Sequence, residues 1–495
     1  MASSAQGTFA ISTGVATTQQ SVTGLTFKPN LALFWYSIAT GGDGAVDGNS
    51  GIGFGVAVSS SSRRATFSGW VDGATTNTDR HANIMHDAAC IAICTLSGTP
   101  ALDGLADFVS FNNDGFTLVI DDQFSAGYII HYLALSVTNA ELATITEPAA
   151  TGSQEYNISS FLPNAAMIFS AGNAGLNVVD NDGVAQGLFI GAGDGTRQVV
   201  TGCANGYSSS AAQDTNFYSN ALVLVRQVAK SDVAQASLTT LDADGITLNW
   251  TARASTGTQY FVLMLKATGA YVDEYVTATD LNDHPESGFG FAPTALFGAH
   301  INTISGGDDT RSMTIGGGIG ATARSCVGAM MAGAGGSVQV SYWQELDEIG
   351  ATYDSAAVLI ALMDVVSFDA DGWTHKMDDA DAVAALGWML AIKTLPAPTV
   401  TSSTPNSGST AGGTSITNLA GTGFVATPTV TYGGTSATGV GFTSATQLTC
   451  TTPAHAAGQV NVVVTNPDQQ TGTGTLIFEY ITPVKPANRV ILLGG

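Results

Sequence analysis

Phe111-Asn-Asn-Asp114-Gly115-Phe116-Thr-Leu118, followed after a short linker by Tyr128-Ile-Ile-His131-Tyr132-Leu133-Ala-Leu135, is the stretch that decides the fold, because the chain contains it three times. The second copy reads Leu241-Asp-Ala-Asp244-Gly245-Ile-Thr-Leu248 and ends Tyr260-Phe-Val-Leu263-Met-Leu265. The third reads Phe368-Asp-Ala-Asp371-Gly372-Trp373 and ends Gly387-Trp388-Met-Leu390-Ala-Ile392. From Asp114 to Leu133, Asp244 to Leu263 and Asp371 to Leu390 the separation is 19 residues each time. Asp-Gly alone is common in β-rich chains; a fixed spacing makes these three steps homologous positions. Asp-Gly between apolar runs is a strong hairpin signal, since Gly takes φ > 0 at no steric cost. Each copy therefore predicts a hairpin strand and then a buried strand, in an all-β chain built by triplication.

Working outward, 495 residues exceed what one core serves, and roughly three to four domains are expected. Gly is 59 of 495 residues and charged residues are 11%, against a usual ~7% and ~25%. Ser, Thr, Asn, Gly and Ala must then cover the surface, which suits permanent burial against neighbours. Fifteen Lys and Arg against 39 Asp and Glu give a net charge of −24. That balance argues against a nucleic-acid partner, because neutralising phosphates takes clustered cations. The five cysteines, Cys90, Cys94, Cys203, Cys326 and Cys450, are scattered without zinc-ribbon spacing and read as small buried apolar residues. Met1-Ala-Ser-Ser-Ala-Gln lacks the basic and apolar regions of a signal peptide, so synthesis in a host cytoplasm is expected. The longest apolar runs, near 356–363 and 382–392, are too short to span a bilayer, and no membrane insertion is expected.

Other landmarks recur in the same order. A Pro-started strand appears as Phe27-Lys-Pro29-Asn30, Phe161-Leu-Pro163-Asn164 and Phe291-Ala-Pro293-Thr294. A glycine-rich strand follows, around Gly53, Gly191 and Gly318, and Arg63, Arg197 and Arg324 stand ten residues after Gly53, Gly187 and Thr314. No helix follows these glycines to receive phosphate, so close backbone packing is the reading. Next comes a near-continuous apolar strand at 88–94, 221–225 and 356–360, expected to be central and buried on both faces. The longest insertions are expected in the first repeat, at 40–50 and 69–81. About eight strands per repeat, with turn signals every 8–12 residues, predict a sandwich or jelly roll.

From Pro396 the composition shifts to Thr, Ser, Pro and Gly. Thr404-Pro405-Asn-Ser-Gly408, Gly412-Gly413-Thr414, Gly421-Thr-Gly423-Phe424, Val430-Thr-Tyr-Gly433-Gly434, Thr451-Thr452-Pro453, Gly458-Gln-Val460-Asn-Val462-Val-Val464-Thr-Asn466-Pro467 and Phe478-Glu-Tyr480 follow in one order. This pattern resembles an IPT/TIG domain, which implies an immunoglobulin-like sandwich acting as spacer or interaction module, with no chemistry of its own. The three repeats more loosely resemble repeated domains of tailed-bacteriophage virion proteins, through the Phe-x-Pro-Asn strand, the Asp-Gly-Phe-Thr-Leu turn and the Tyr-Leu-Ala-Leu ending. The fold class is then all-β: three homologous sandwich or jelly-roll-like repeats at 1–137, 138–268 and 269–393, an IPT/TIG sandwich at 394–482 and a tail at 483–495.

The search for chemistry is mostly negative. There is no Gly-x-Ser-x-Gly elbow, no His-Glu-x-x-His and no P-loop. His131 lies on an apolar strand and reads as a core or interface histidine. Asp121-Asp122, Asp308-Asp309 and Asp378-Asp379-Ala-Asp381 could in principle pair as glycosidase carboxylates, but they read as solvated post-turn runs. Asp180-Asn-Asp182-Gly183 starts like a calcium loop, yet its twelfth position is Gly191 rather than Glu. No catalytic residue, cofactor or metal is therefore expected. Asp114, Gly115, Asp244, Gly245, Asp371, Gly372, Arg63, Arg197 and Arg324 are structural repeat positions, and an Arg recurring among so few cations predicts a buried or inter-repeat partner. The expectation is a non-enzymatic virion structural protein on the particle surface, a capsid decoration protein whose partners are capsid or tail subunits. A tail fibre or adhesin binding a host-surface glycan is the alternative, and a glycan-active enzyme the third. The chain is expected as a homo-oligomer or as a pseudo-threefold monomer in which three sandwiches surround one axis, with the C-terminal tail clipping onto a neighbour or frayed.

Overall fold

The computed structural model describes residues 3–47, 49–71, 80–96, 101–172, 175–179, 187–206, 213–226, 232–253, 257–301, 310–334, 337–353, 359–379, 385–394, 397–467 and 470–483. The 180–183 segment, the 308–309 pair, Asp381 and the tail from 484 lie outside them. The chain divides into two compact units, Ala2–Leu395 and Pro396–Gly495. All regular structure among the described residues is strand.

The first repeat runs β1 (Ser4–Ala10), β2 (Gln19–Val22), β3 (Leu31–Ser37), β4 (Gly44–Asp47), β5 (Ser50–Ser59), β6 (Ser62–Val71), β7 (Arg80–His86), β8 (Ile91–Thr95), β9 (Ala101–Asn112), β10 (Gly115–Asp122) and β11 (Ile129–Leu135). The second runs β12 (Asn139–Thr146), β13 (Gly152–Asn157), β14 (Ala165–Ser170), β15 (Phe189–Gly193), β16 (Gln198–Gly206), β17 (Gln213–Ser219), β18 (Val223–Arg226), β19 (Asp232–Asp242), β20 (Gly245–Ala252) and β21 (Gln259–Lys266). The third runs β22 (Gly269–Val276), β23 (Asp283–Ser287), β24 (Ala295–Ile301), β25 (Thr310–Gly318), β26 (Arg324–Ala334), β27 (Ser337–Glu345), β28 (Gly350–Tyr353), β29 (Leu359–Asp369), β30 (Gly372–Asp379) and β31 (Leu386–Lys393).

Each repeat is a sandwich of one long and one four-stranded antiparallel sheet, with the same strand order every time: β1-β11-β3-β5-β6-β7 over β2-β10-β9-β8, β12-β21-β14-β15-β16-β17 over β13-β20-β19-β18, and β22-β31-β24-β25-β26-β27 over β23-β30-β29-β28. The strand β4 leaves its own repeat and pairs with β27 of the third, Gly44 opposite Gln344 and Ala45 opposite Trp343. Among the described residues ten strands per repeat, eleven in the first, replace the eight read from sequence. The difference lies around the glycine-rich strand β5, where the segments expected as insertions at 40–50 and 69–81 contribute the extra strand β4 and parts of the hairpin strands β6 and β7.

The Leu31–Ser37 strand is buried along its whole length because its two faces meet two different cores. Ala32, Phe34 and Tyr36 pack with β8, β9 and β10 residues inside the first sandwich. Leu31, Leu33 and Trp35 face the other way, into one cluster that also holds Ala165, Met167 and Phe169 of β14 and Ala295, Phe297 and Ala299 of β24. The long sheets of all three repeats thus bury a shared central core, besides one core inside each sandwich. At its middle Phe54 meets Phe169 at 4.8 Å between ring centroids and Phe297 at 5.1 Å.

The repeats join head to tail, and the third returns to the first. From the first to the second, Arg64 Nε donates to Thr144 Oγ1 (3.0 Å) and Asn177 Nδ2 to Asp87 Oδ1 (2.8 Å). From the second to the third, Trp388 Nε1 donates to Thr201 Oγ1 (2.9 Å) and Tyr218 Oη to Glu274 Oε2 (2.8 Å). From the third to the first, Gln6 Nε2 donates to Ser325 Oγ (2.5 Å), Gln344 Nε2 to the Gly42 carbonyl (2.7 Å), and β4 completes the third sheet. At each junction the first strand of one repeat packs on the hairpin of its predecessor: β12 on β6, β22 on β16 and β1 on β26. This is a heterologous contact that closes after three copies.

The C-terminal unit is a separate sandwich. It comprises β32 (Thr399–Thr404), β33 (Ser407–Ser409), β34 (Ser415–Thr422), β35 (Thr429–Tyr432), β36 (Thr435–Ser436), β37 (Thr438–Ser444), β38 (Gln447–Thr451), β39 (Gly458–Thr465) and β40 (Thr471–Ile481). They form the sheets β32-β34-β38-β37 and β33-β40-β39-β35-β36. Leu419, Tyr432, Leu448, Val462 and Phe478 fill the space between them. Cys450 is buried and unbridged.

Candidate functional site

The Asp-Gly steps occupy equivalent turns. The hairpins β9–β10, β19–β20 and β29–β30 pair Gly115 with Asn112, Gly245 with Asp242 and Gly372 with Asp369. The Asp114, Asp244 and Asp371 carbonyls accept from the amides of Leu25 (2.9 Å), Ser159 (2.8 Å) and Gly288 (3.1 Å). Gly is the first residue after the two-residue loop rather than part of it, and its reason is proximity. A Cβ at Gly115, Gly245 or Gly372 would lie 1.8–1.9 Å from the carbonyl oxygen of Val22, Tyr156 or Glu286 on the neighbouring strand.

A second triple fixes the register of the glycine-rich strands. A Cβ on Gly55, Gly191 or Gly316 would meet the carbonyl oxygen of Cys90, Leu222 or Ile349 at about 2 Å, as the opposing sheet crosses there. The amides of those three residues donate to Ala106, Ala236 and Met363 at 2.9–3.0 Å. The apolar strands that follow, β8, β18 and β28, are edge strands of their sheets and not central ones. They read as apolar on both faces because the long sheet covers them. The third copy is β28 (Gly350–Tyr353), not the 356–360 segment, of which residues up to 358 lie outside the described ones.

In this register Arg63 and Arg324 coincide, two residues before the partners of Gly55 and Gly316, whereas the second repeat places Gln198 there. Arg197 falls one residue earlier, in a tighter turn. Arg63 Nη2 pairs with Asp107 Oδ2 at 2.8 Å and Arg324 with Asp364, in the same place on β9 and β29. Gln198 instead satisfies the backbone, Leu238 N–H donating to its Oε1 at 2.5 Å. Arg197 binds Asp194 at 3.3 Å and lies 3.7 Å over the Tyr271 ring of the third repeat, while Asp194 Oδ2 accepts from Val272 N–H at 2.9 Å. Its ion-pair partner thus lies in its own turn and only the Tyr271 ring it covers is across a junction, while the other two arginines pair inside their own sandwiches.

Around these equivalent positions the repeats differ in charge. Beside Arg63 and Asp107 stand His86 and Asp121; burial pushes the Asp107 carboxyl up and the His86 imidazole down. In the second repeat the carboxylate positions hold Ser237 and Thr251, so the fold does not require charge here. In the third repeat Asp364 and Asp378 occupy them and Glu348 is added. The carboxylate oxygens of these three lie within 4.8 Å of one another. Burial, then the close Asp364 carboxyl, drives the Glu348 carboxyl well above the usual range. From the sequence Asp378 reads as part of a solvated run, and Glu348 is not among the candidates. The sole signal for Glu348 was an acid in the third copy where the others carry Ala89 and Ala221.

A further group lies elsewhere in the third repeat. Trp373 Nε1 donates to Asp273 Oδ2 at 2.9 Å. Burial raises Asp273 to about 6 and, with the Asp273 charge, Glu286 to about 7. His375, buried 3.9 Å from Glu286, is pushed down to about 4. His131 is fully buried in the central core, its Nε2 3.3 Å from Gln344 Oε1, and is likewise pushed down to about 4 by burial. Asp121 and Asp122 end β10 on the surface.

No curated protein matches the chain. Two solved structures of the plexin A4 full extracellular region, with domains 1 to 8 and 1 to 10, are similar at 10% identity over 81% and 82% of this chain, with TM-scores of 0.16 and 0.17. The chain spans 46% and 40% of their lengths. Residues 398–480 match the IPT/TIG domain family. The sandwich β32–β40 is accordingly an IPT/TIG immunoglobulin-like domain, which follows a triplicated all-β body in sequence.

Proposed function

We propose that the chain is a non-enzymatic structural protein of a tailed-phage virion, seated on the particle surface as a capsid decoration protein. The observation that supports this reading most is the closed ring of three homologous sandwiches in one chain. A single polypeptide then offers three near-equivalent outer faces, as a homotrimer does, and fits the local threefold positions of a shell. The weakly charged composition, 11% Asp, Glu, Lys and Arg, agrees with a life spent against neighbours. The IPT/TIG domain serves as spacer or contact module.

Electron microscopy of particles carrying the protein with a density label fused after the IPT/TIG domain tests the proposal. Label density at regular positions on the head is the expected result. Density confined to the tail tip would replace decoration by the fibre or adhesin reading, and particles without label would overturn the virion assignment.

A further inference from the structure

We propose that Glu348, Asp364 and Asp378 form a binding site for a divalent cation of the calcium type, built into the third repeat only. Three carboxylates converge there within 4.8 Å, with Arg324 paired to Asp364 and Lys376 reaching Asp378 at 3.9 Å from a half-exposed position. Glu348 is the informative member. It is 6% exposed, and its Oε2 is buried without a hydrogen-bond partner among the described residues. A buried carboxylate oxygen without a donor is destabilising unless a proton or cation satisfies it.

The neighbouring acids show the contrast. Glu345 accepts from the Tyr353 hydroxyl, and Asp43 Oδ1 accepts from Leu346 N–H at 2.9 Å, so the Asp43, Glu345 and Asp347 group already has donors. The sister repeats supply a second contrast. The positions of Glu348 in the first and second repeats hold Ala89 and Ala221, in sandwiches of the same strand order. Folding therefore does not need an acid at this place, and a third carboxylate beside an already paired Arg–Asp couple leaves excess negative charge among half-buried side chains. Hard oxygen donors from carboxylates, with one side open to water at Asp378 (46% exposed), suit calcium.

The site predicts a dependence that a proton alone would not give. The full chain, stripped with EDTA and titrated with calcium chloride by calorimetry, should bind one ion that E348A and E348Q do not bind, and D107N should bind as the wild type does. E348A recreates the residue of the sister repeats and so keeps the fold. In EDTA its melting temperature should equal or exceed that of the wild type; in millimolar calcium only the wild type should rise, by several degrees. Wild-type protein that takes up no calcium at millimolar concentration would overturn the proposal, as would E348A binding with unchanged affinity.

Discussion

His131 shows what one residue contributes to the acid response of the body. The register places it where the second and third repeats have Phe261 and Trp388, opposite Trp35, Phe169 and Ala299. The three cross-strand pairs share out one volume, the small Ala299 facing the large Trp388. Burial holds His131 neutral down to about pH 4, whereas an unfolded imidazole binds its proton near 6.5. The unfolded state alone gains that proton between the two values, so stability is present above 6.5 and lost as pH falls toward 4, by about 1.4 kcal/mol per unit. His131→Phe should remove this share. The variant is expected to cost about 1 kcal/mol at pH 7, where Gln344 loses its contact, and to lose stability less steeply than the wild type between pH 6.5 and 4.5 in urea titrations. Parallel profiles would refute the assignment. The sequence marked His131 as a core or interface histidine, correctly, because it sits in an apolar run. It marked Arg63, Arg197 and Arg324 as one position, which holds for two of them. A one-residue shortening of the second hairpin moves Arg197 into a turn, and residue counting alone does not reveal which side of a deletion a residue lies on.

At the scale of strands and turns, the hairpins at Asp114, Asp244 and Asp371 were legible, since turn chemistry is local. The reason for their glycines was not, because the carbonyl that excludes a Cβ belongs to a strand about 90 residues away in sequence. Gly245→Ala is expected to destabilise the body by about 1–3 kcal/mol through this overpacking, measured as a lower urea midpoint with unchanged slope. Gly127→Ala is the control, its added Cβ meeting Ile11 O no closer than 3.6 Å, and it should stay near the wild-type midpoint. A Gly245→Ala midpoint equal to that of the control would show that the strand β13 can withdraw at no cost. The strand count and the edge position of β8 were missed for a related reason. A continuous apolar run reports burial on both faces, and burial between two sheets looks the same in sequence whether the strand is central or at an edge.

For the whole molecule, triplication was legible but the shared core was not. Leu31, Leu33 and Trp35 read simply as alternate members of an apolar strand, and nothing local states that their partners are Phe169 and Phe297 of other repeats. The closing contact β4 to β27 is likewise invisible in a segment that reads as an insertion. Because Phe54 touches both other repeats, the body should open as one unit, and Phe54→Ala should cost about 3–5 kcal/mol. Hydrogen exchange followed by mass spectrometry on wild type and Phe54→Ala is the most direct measurement of this closure. Faster exchange is expected in β14 (Ala165–Ser170) and β24 (Ala295–Ile301) as well as in β3 and β5, with β32–β40 unchanged. Faster exchange confined to residues 3–137 would contradict a common core and leave three sandwiches that fold independently.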